Sequence, residues 1–240
     1  MRMLSLPTLA LFAIASTSLA ANIPVCNTGF LSGCTADTNA NTGALSTDGT
    51  WYLASGPTGT RSADLFITVN GTFPLDGAHY VLNNALASWV SPSSDMAVYS
   101  AANQSYYYAV QFSLAGFDPA TAALTGSWLS DNDGLGVFLN GVNIAQSSLP
   151  SFGGFGGPLV NLNVPAGSGF NGAVNTLVFQ VNNGPLDGPG GTMPSPAGVR
   201  IQLTLSADPL LDPPVDTPEP ASIGLMAAGL VALFTFRRRG

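Results

Sequence analysis

Residues 131–134 read Asp-Asn-Asp-Gly, which sets two carboxylates and an amide within four positions. Hard oxygen donors at that density can hold Ca2+, so Asp131 and Asp133 are candidate ligands of a structural cation. The EF-hand spacing fails, because no Glu lies near position 142. The alternative is an Asx turn, in which the Asp and Asn side chains cap their own backbone and Gly134 takes a positive φ. Aromatic residues offer a second chemistry. Trp51, Trp89, Trp128 and the run Tyr106-Tyr107-Tyr108 can stack on sugar faces, but cores bury most large aromatics for packing alone. On a strand, Tyr106 and Tyr108 face one side and Tyr107 the other. No glycan contact can be assigned from spacing. Catalysis has little support. The sole histidine, His79, leaves little for a Ser-His-Asp triad. The twelve Asp residues include no pair in a recognisable glycosidase context. The chain therefore reads as noncatalytic.

Composition narrows the class. The 240 residues hold six Arg, no Lys, twelve Asp and one Glu, and only 8% are charged, against ~25% in an ordinary soluble domain. Nucleic-acid binding lacks its basic face. A coiled coil lacks its wet-side Glu, Lys and Arg. Disorder is disfavoured by 46% hydrophobic and 9% aromatic content.

Both ends are processing segments. Arg2, an apolar run from Met3 to Ala15 and the small residues ending Ser18-Leu19-Ala20 describe a signal peptide over residues 1–20; a short membrane anchor is the alternative. At the other end, Ala207 to Thr217 is a Pro/Asp-rich linker. Pro218-Glu219-Pro220 follows, then an apolar stretch over 221–236, then Arg237-Arg238-Arg239. Sixteen helical residues span roughly 24 Å, short of a ~30 Å bilayer core unless the arginines snorkel. The arginines stay cytoplasmic under the positive-inside rule, which leaves the body of the chain outside. This tail resembles the PEP-CTERM sorting signal. The resemblance implies an exosortase as partner, which removes the transmembrane helix, and delivery from the inner membrane to the cell surface or extracellular matrix. A plain C-terminal anchor is the alternative. In an exported chain, Cys26 and Cys34, with seven residues between them, are expected to form one disulfide. They lack the further ligands of a zinc site.

Residues 21–220 carry two arginines against thirteen acids, a net charge of −11. Such a surface repels phosphate and anionic lipid and suits neutral ligands or divalent cations. The positioning elements read as strands: Trp51–Leu53, Leu65–Val69, Ala87–Val90, Tyr106–Leu114, Ala122–Trp128, 136–139, 142–145, Leu159–Val164, Thr176–Val181 and Val199–Leu205. The last two alternate apolar and polar residues clearly. Asn140-Gly141 is a strong signal for a type I′ hairpin turn. Residues 152–158 read as a flexible Gly-rich loop. Many short strands with regular turn signals predict an all-β sandwich or barrel.

The succession Gly116-Phe117-Asp118-Pro119, Leu124-Thr125-Gly126, Trp128, Val137-Phe138-Leu139-Asn140-Gly141 and Asn175-Thr176-Leu177-Val178-Phe179-Gln180-Val181-Asn182-Asn183 is similar to galactose-binding-like jelly rolls. Asp48-Gly49-Thr50-Trp51 and Ser88-Trp89-Val90-Ser91-Pro92 add to the resemblance. It implies a jelly-roll ectodomain over residues 21–206 and adds weight to a structural Ca2+. One departure is the long loop Pro185–Pro196 before the last strand. Together these features predict a noncatalytic surface or matrix protein associated with exopolysaccharide. A glycan-active enzyme and a structural surface protein without a specific ligand are the alternatives.

Overall fold

The computed structural model describes residues 19–31, 35–36, 47–71, 73–96, 101–151, 154–185, 191–193 and 195–210. The body of the signal peptide, Cys34, most of the linker and the whole sorting tail, including Pro218, Glu219, Pro220, the stretch 221–236 and Arg237–Arg239, lie outside the described residues. Residues Met1–Pro209 form one compact unit and Leu210–Gly240 a second. Among the described residues, no helix is long and apolar enough to cross a membrane.

Among the described residues thirteen strands follow in order: β1 (Ala21–Ile23), β2 (Phe30–Leu31), β3 (Thr35–Ala36), β4 (Thr47–Ala54), β5 (Arg61–Ile67), β6 (Val90–Ser91), β7 (Gln104–Ser113), β8 (Ala123–Asp131), β9 (Asp133–Leu139), β10 (Val142–Ile144), β11 (Val160–Val164), β12 (Val174–Asn183) and β13 (Gly198–Ala207). β2 and β3 pair alone. The others join one ladder, β10-β9-β12-β7-β4-β5-β6-β13-β8-β11, with β1 added to β13. The ladder closes over itself into two facing layers. Trp128 on β8 meets Phe179 on β12 edge-on at 4.9 Å between ring centroids, although those strands are far from adjacent in the ladder. The fold is therefore an all-β sandwich, as the strand pattern predicts.

Period-2 alternation explains the core. Leu177, Phe179 and Val181 of β12 point inward, as do Val199, Ile201, Leu203 and Leu205 of β13. Tyr108, Val110 and Phe112 of β7 join them. Each large apolar side chain so buried contributes roughly 1.5–3 kcal/mol against exposure. Trp51 and Trp128 also lie in this core, and Trp89 in a smaller cluster beside it. All three indoles are fully buried, so none is a sugar platform. Tyr107, alone of its run, lies on the opposite face, against Tyr52, Ala109 and Val178.

The hairpin at Asn140-Gly141 has the predicted geometry. Val142 pairs with Leu139, and φ is +53° at Asn140 and +82° at Gly141. The Asn140 side chain ties the turn to β12: its Oδ1 accepts from the Thr176 N–H at 3.0 Å and its Nδ2 donates to Asn175 Oδ1 at 3.0 Å.

Three expectations change. Ala87–Val90 contributes only Val90 to a strand. The residues before it are held by asparagine side chains rather than by a ladder: Asn83 Oδ1 accepts from Trp89 N at 2.7 Å, and Asn84 Oδ1 from Leu86 N and Ala87 N at 2.9 and 3.1 Å. The Gly-rich loop contains a short 3-10 turn, Gly154–Gly156, and Phe155 packs on Tyr80 at 4.7 Å. Finally, 131–134 is no Asx turn. β8 ends at Asp131 and β9 begins at Asp133, and Asn132 carries the chain from one layer to the other. Its N–H donates to Asn182 O at 3.2 Å, and Gly134 N–H to Pro150 O at 2.9 Å. Gly134 has no positive φ. It is needed for space: a Cβ there would stand 2.6 Å from the Trp128 ring and 2.8 Å from Pro150.

Candidate functional site

The corner between β8 and β9 forms the floor of a pocket of about 260 Å³, lined by Phe73, His79, Tyr80, Asp131, Asn132, Phe155, Pro185, Ser195 and Pro196. Strand alternation places Asp131 there. Trp128 faces the sandwich interior, Leu129 the opposite side, and Asp131 shares the side of Leu129. That outer side is roofed by 73–89, by the turn at Phe155 and by the loop before β13.

The polar groups of the floor form a connected network. The Tyr80 hydroxyl donates to Asp131 Oδ2. Asn132 Nδ2 donates to Asp131 Oδ1 at 2.7 Å. Asn132 Oδ1 accepts from the Gly184 N–H. Ser195 Oγ lies 2.5 Å from Gly184 O and 2.9 Å from Asn183 Oδ1, and Asn183 Nδ2 donates to Ser195 O at 3.3 Å. Asp131 is only 3% exposed. Burial pushes its carboxyl well above the ordinary carboxylate range, because a charge in an apolar surrounding loses its hydration.

The walls are aromatic. Tyr80 stands 4.7 Å from both Trp89 and Phe155, and Phe73 meets His79 edge-on at 5.1 Å. His79 Nδ1 lies 2.9 Å from Asp76 Oδ2 on the exposed rim. The volume of about 260 Å³ falls just below the ~300–1,000 Å³ of drug-sized sites, which is room for one small group or ring.

Of the two carboxylates singled out from sequence, Asp131 lines this pocket and Asp133 does not. Among the described residues, no group of three or more His, Cys, Asp or Glu side chains could hold a metal ion. Cys26 is disulfide-bonded; Cys34, its expected partner, lies outside the described residues. Sequence reasoning missed Tyr80, Phe155 and Ser195. One signal pointed there: the extra loop Pro185–Pro196, the departure from the galactose-binding-like pattern, supplies Pro185, Ser195 and Pro196 to the wall.

Comparisons with known proteins give one motif and a distant structural likeness. Residues 216–239 match the PEP-CTERM protein-sorting motif. No curated protein matches the chain. Among solved structures, the chain is similar to the β-glucuronidase of Ruminococcus gnavus, at 15% identity and TM-score 0.35, over 68% of this chain and 29% of that one. The same enzyme in complex with C6-substituted uronic isofagomine aligns at 14% identity and TM-score 0.36, again over 68% and 29%. The chain thus spans less than a third of the length of these glucuronidases. The motif is the more specific finding: the chain bears a PEP-CTERM sorting signal, which implies an exported protein, anchored at its C terminus before processing by an exosortase.

Proposed function

We propose that this chain is a noncatalytic cell-surface or extracellular-matrix protein whose sandwich associates with exopolysaccharide once an exosortase has released it from the inner membrane. The sorting motif at 216–239 carries the reading. In this scheme the signal peptide is removed after Ala20, and β1 begins at the next residue, Ala21. The stretch 221–236 is the temporary membrane anchor, with Arg237–Arg239 as its cytoplasmic stop.

The pocket supports the glycan part. Aromatic walls suit the apolar face of a sugar ring, and the Asp131, Asn132 and Ser195 floor suits its hydroxyls. Glycosidases use two carboxyl groups across the scissile bond; among the described residues Asp131 is the carboxyl group that lines this pocket, and we read it as a binding group. A structural Ca2+ at Asp131 and Asp133 is a lesser proposal, since only the first of them reaches the pocket.

Cosedimentation tests the reading. The full chain, purified in a mild nonionic detergent, is expected to sediment with matrix polysaccharide from an exosortase-bearing host, and Phe155→Ala to weaken this. No cosedimentation would remove the glycan partner. Release of reducing ends from that polysaccharide would put the enzymatic alternative in its place.

A further inference from the structure

Asp131 is a nearly buried carboxyl group whose described partners are both neutral. The Tyr80 hydroxyl and the Asn132 amide occupy one lone-pair site on each oxygen, of about four that a carboxylate offers. The ion pairs Arg61–Asp64 and His79–Asp76 do not include it. A buried carboxylate without a cation is costly. Burial, which raises its pKa, reflects the same cost.

Above it stand ring systems. Tyr80 and Phe155 pack on each other with centroids 4.7 Å apart and planes inclined at 37°, and both line the pocket beside Phe73. Aromatic faces carry negative charge density and attract cations. Among the described residues no Arg or Lys lines the pocket, and the His79 imidazole on its rim is engaged by Asp76. A hard metal ion is a poor occupant, because Ca2+ needs 6–8 oxygen ligands and these walls are carbon. A neutral hydroxyl would satisfy a lone pair but would do nothing for the ionised form that burial disfavours. An alkylammonium group answers both features: three N–H donors and a positive charge for the carboxyl, and a carbon stem for the aromatic wall.

We propose that this pocket binds a protonated primary amine, with the Asp131 carboxylate as counter-ion and Phe73, Tyr80 and Phe155 as an aromatic wall against its carbon part. The amine can come from an amino-sugar unit of the exopolysaccharide or from a free small amine. The first source rests on the function proposed above, and the net charge of −11 over residues 21–220 favours it, because an acidic surface draws in a polymer carrying many ammonium groups.

Calorimetric titration of the full chain in nonionic detergent separates these cases. The probes are methylammonium, glucosamine, N-acetylglucosamine and glucose. Methylammonium and glucosamine are expected to bind, and N-acetylglucosamine and glucose to bind at least tenfold more weakly. Asp131→Asn should lower glucosamine affinity by roughly tenfold or more, and Phe155→Leu by several-fold. If Asp131→Asn does not fold, Phe155→Leu and competition by methylammonium against glucosamine carry the test. Glucose binding as tightly as glucosamine would overturn the amine while leaving the glycan reading intact. Methylammonium and glucosamine binding without cosedimentation of polysaccharide would uphold the amine and remove the glycan. Absence of binding by both amines would overturn the proposal.

Discussion

The hydroxyl of Tyr80 donates to Oδ2 of Asp131, a residue 51 positions further along the chain. This contact joins the covering segment 73–89 to the corner between β8 and β9, where burial of the carboxyl couples stability to pH. Burial raises the Asp131 carboxyl well above its ordinary 3.8, so the folded state holds its proton to a higher pH than the unfolded chain. Stability from this group is then fully present below the unfolded value and is lost as pH rises through the folded one. Asp48 acts in the same direction: burial raises it, against N–H donors from Trp51, Thr50 and Gly29. Asp76, lowered chiefly by the Ala78 N–H, opposes them from an exposed position. Asp131→Asn keeps an acceptor for Tyr80 and removes the titration. Urea midpoints between about pH 4 and pH 8 should fall more steeply with rising pH in wild type than in this variant. Equal slopes would mean that Asp131 titrates normally.

Gly141 holds φ at +82°, in a turn that needs positive φ at both central residues. A Cβ there would meet Thr58 Cγ2 at 3.5 Å, an ordinary contact, so strain rather than collision sets the cost. Gly141→Val should destabilise the unit by roughly 1–3 kcal/mol. An unchanged melting temperature would show that the backbone relaxes out of the turn.

These two sites differ in how far the sequence discloses them. The hairpin is local: two residues set the turn, and flanking alternation sets the register. The same holds for β12 and β13, whose period-2 pattern names the inward face directly. Asp131 is different. Asp-Asn-Asp-Gly has the composition of a turn, and nothing nearby reveals that the chain passes between layers there. What decides it is long-range: Asn182 O receives the Asn132 N–H, Pro150 O the Gly134 N–H, and Trp128 leaves no room for a Cβ at 134. The covering segment 73–89 shows neither period, because asparagine side chains such as Asn83 and Asn84 take the place of a ladder. Tyr80 was therefore invisible as a site residue, although its type could have raised it.

Cys26 is disulfide-bonded, and its backbone O accepts from the Trp51 indole N–H at 2.8 Å. Reduction would thus loosen a segment tied to the core by that bond. With Cys34 as partner, the closed loop is short, and the disulfide should contribute about 2–3 kcal/mol. Intact mass of secreted protein with and without reductant should differ by two hydrogens after mild unfolding. Two free thiols in the native protein would contradict the oxidised state.

The last prediction concerns Glu219, the only Glu of the chain, which stands within the sorting motif at 216–239. If Arg237–Arg239 stay cytoplasmic, the stretch 221–236 places Pro218-Glu219-Pro220 at the outer face of the inner membrane. A carboxylate deep in lipid would cost a few kcal/mol, and the interface avoids that cost while leaving the motif within reach of a membrane-embedded enzyme. β13 ends at Ala207, twelve positions earlier, so Glu219→Ala should leave the melting temperature of the sandwich unchanged. It should instead retain full-length protein in the inner membrane of a host that has an exosortase, which fractionation and blotting would reveal. Delivery of the variant to the surface or medium as efficiently as wild type would show that Glu219 does not direct release. A plain anchor would then replace the sorting signal in the account of this tail.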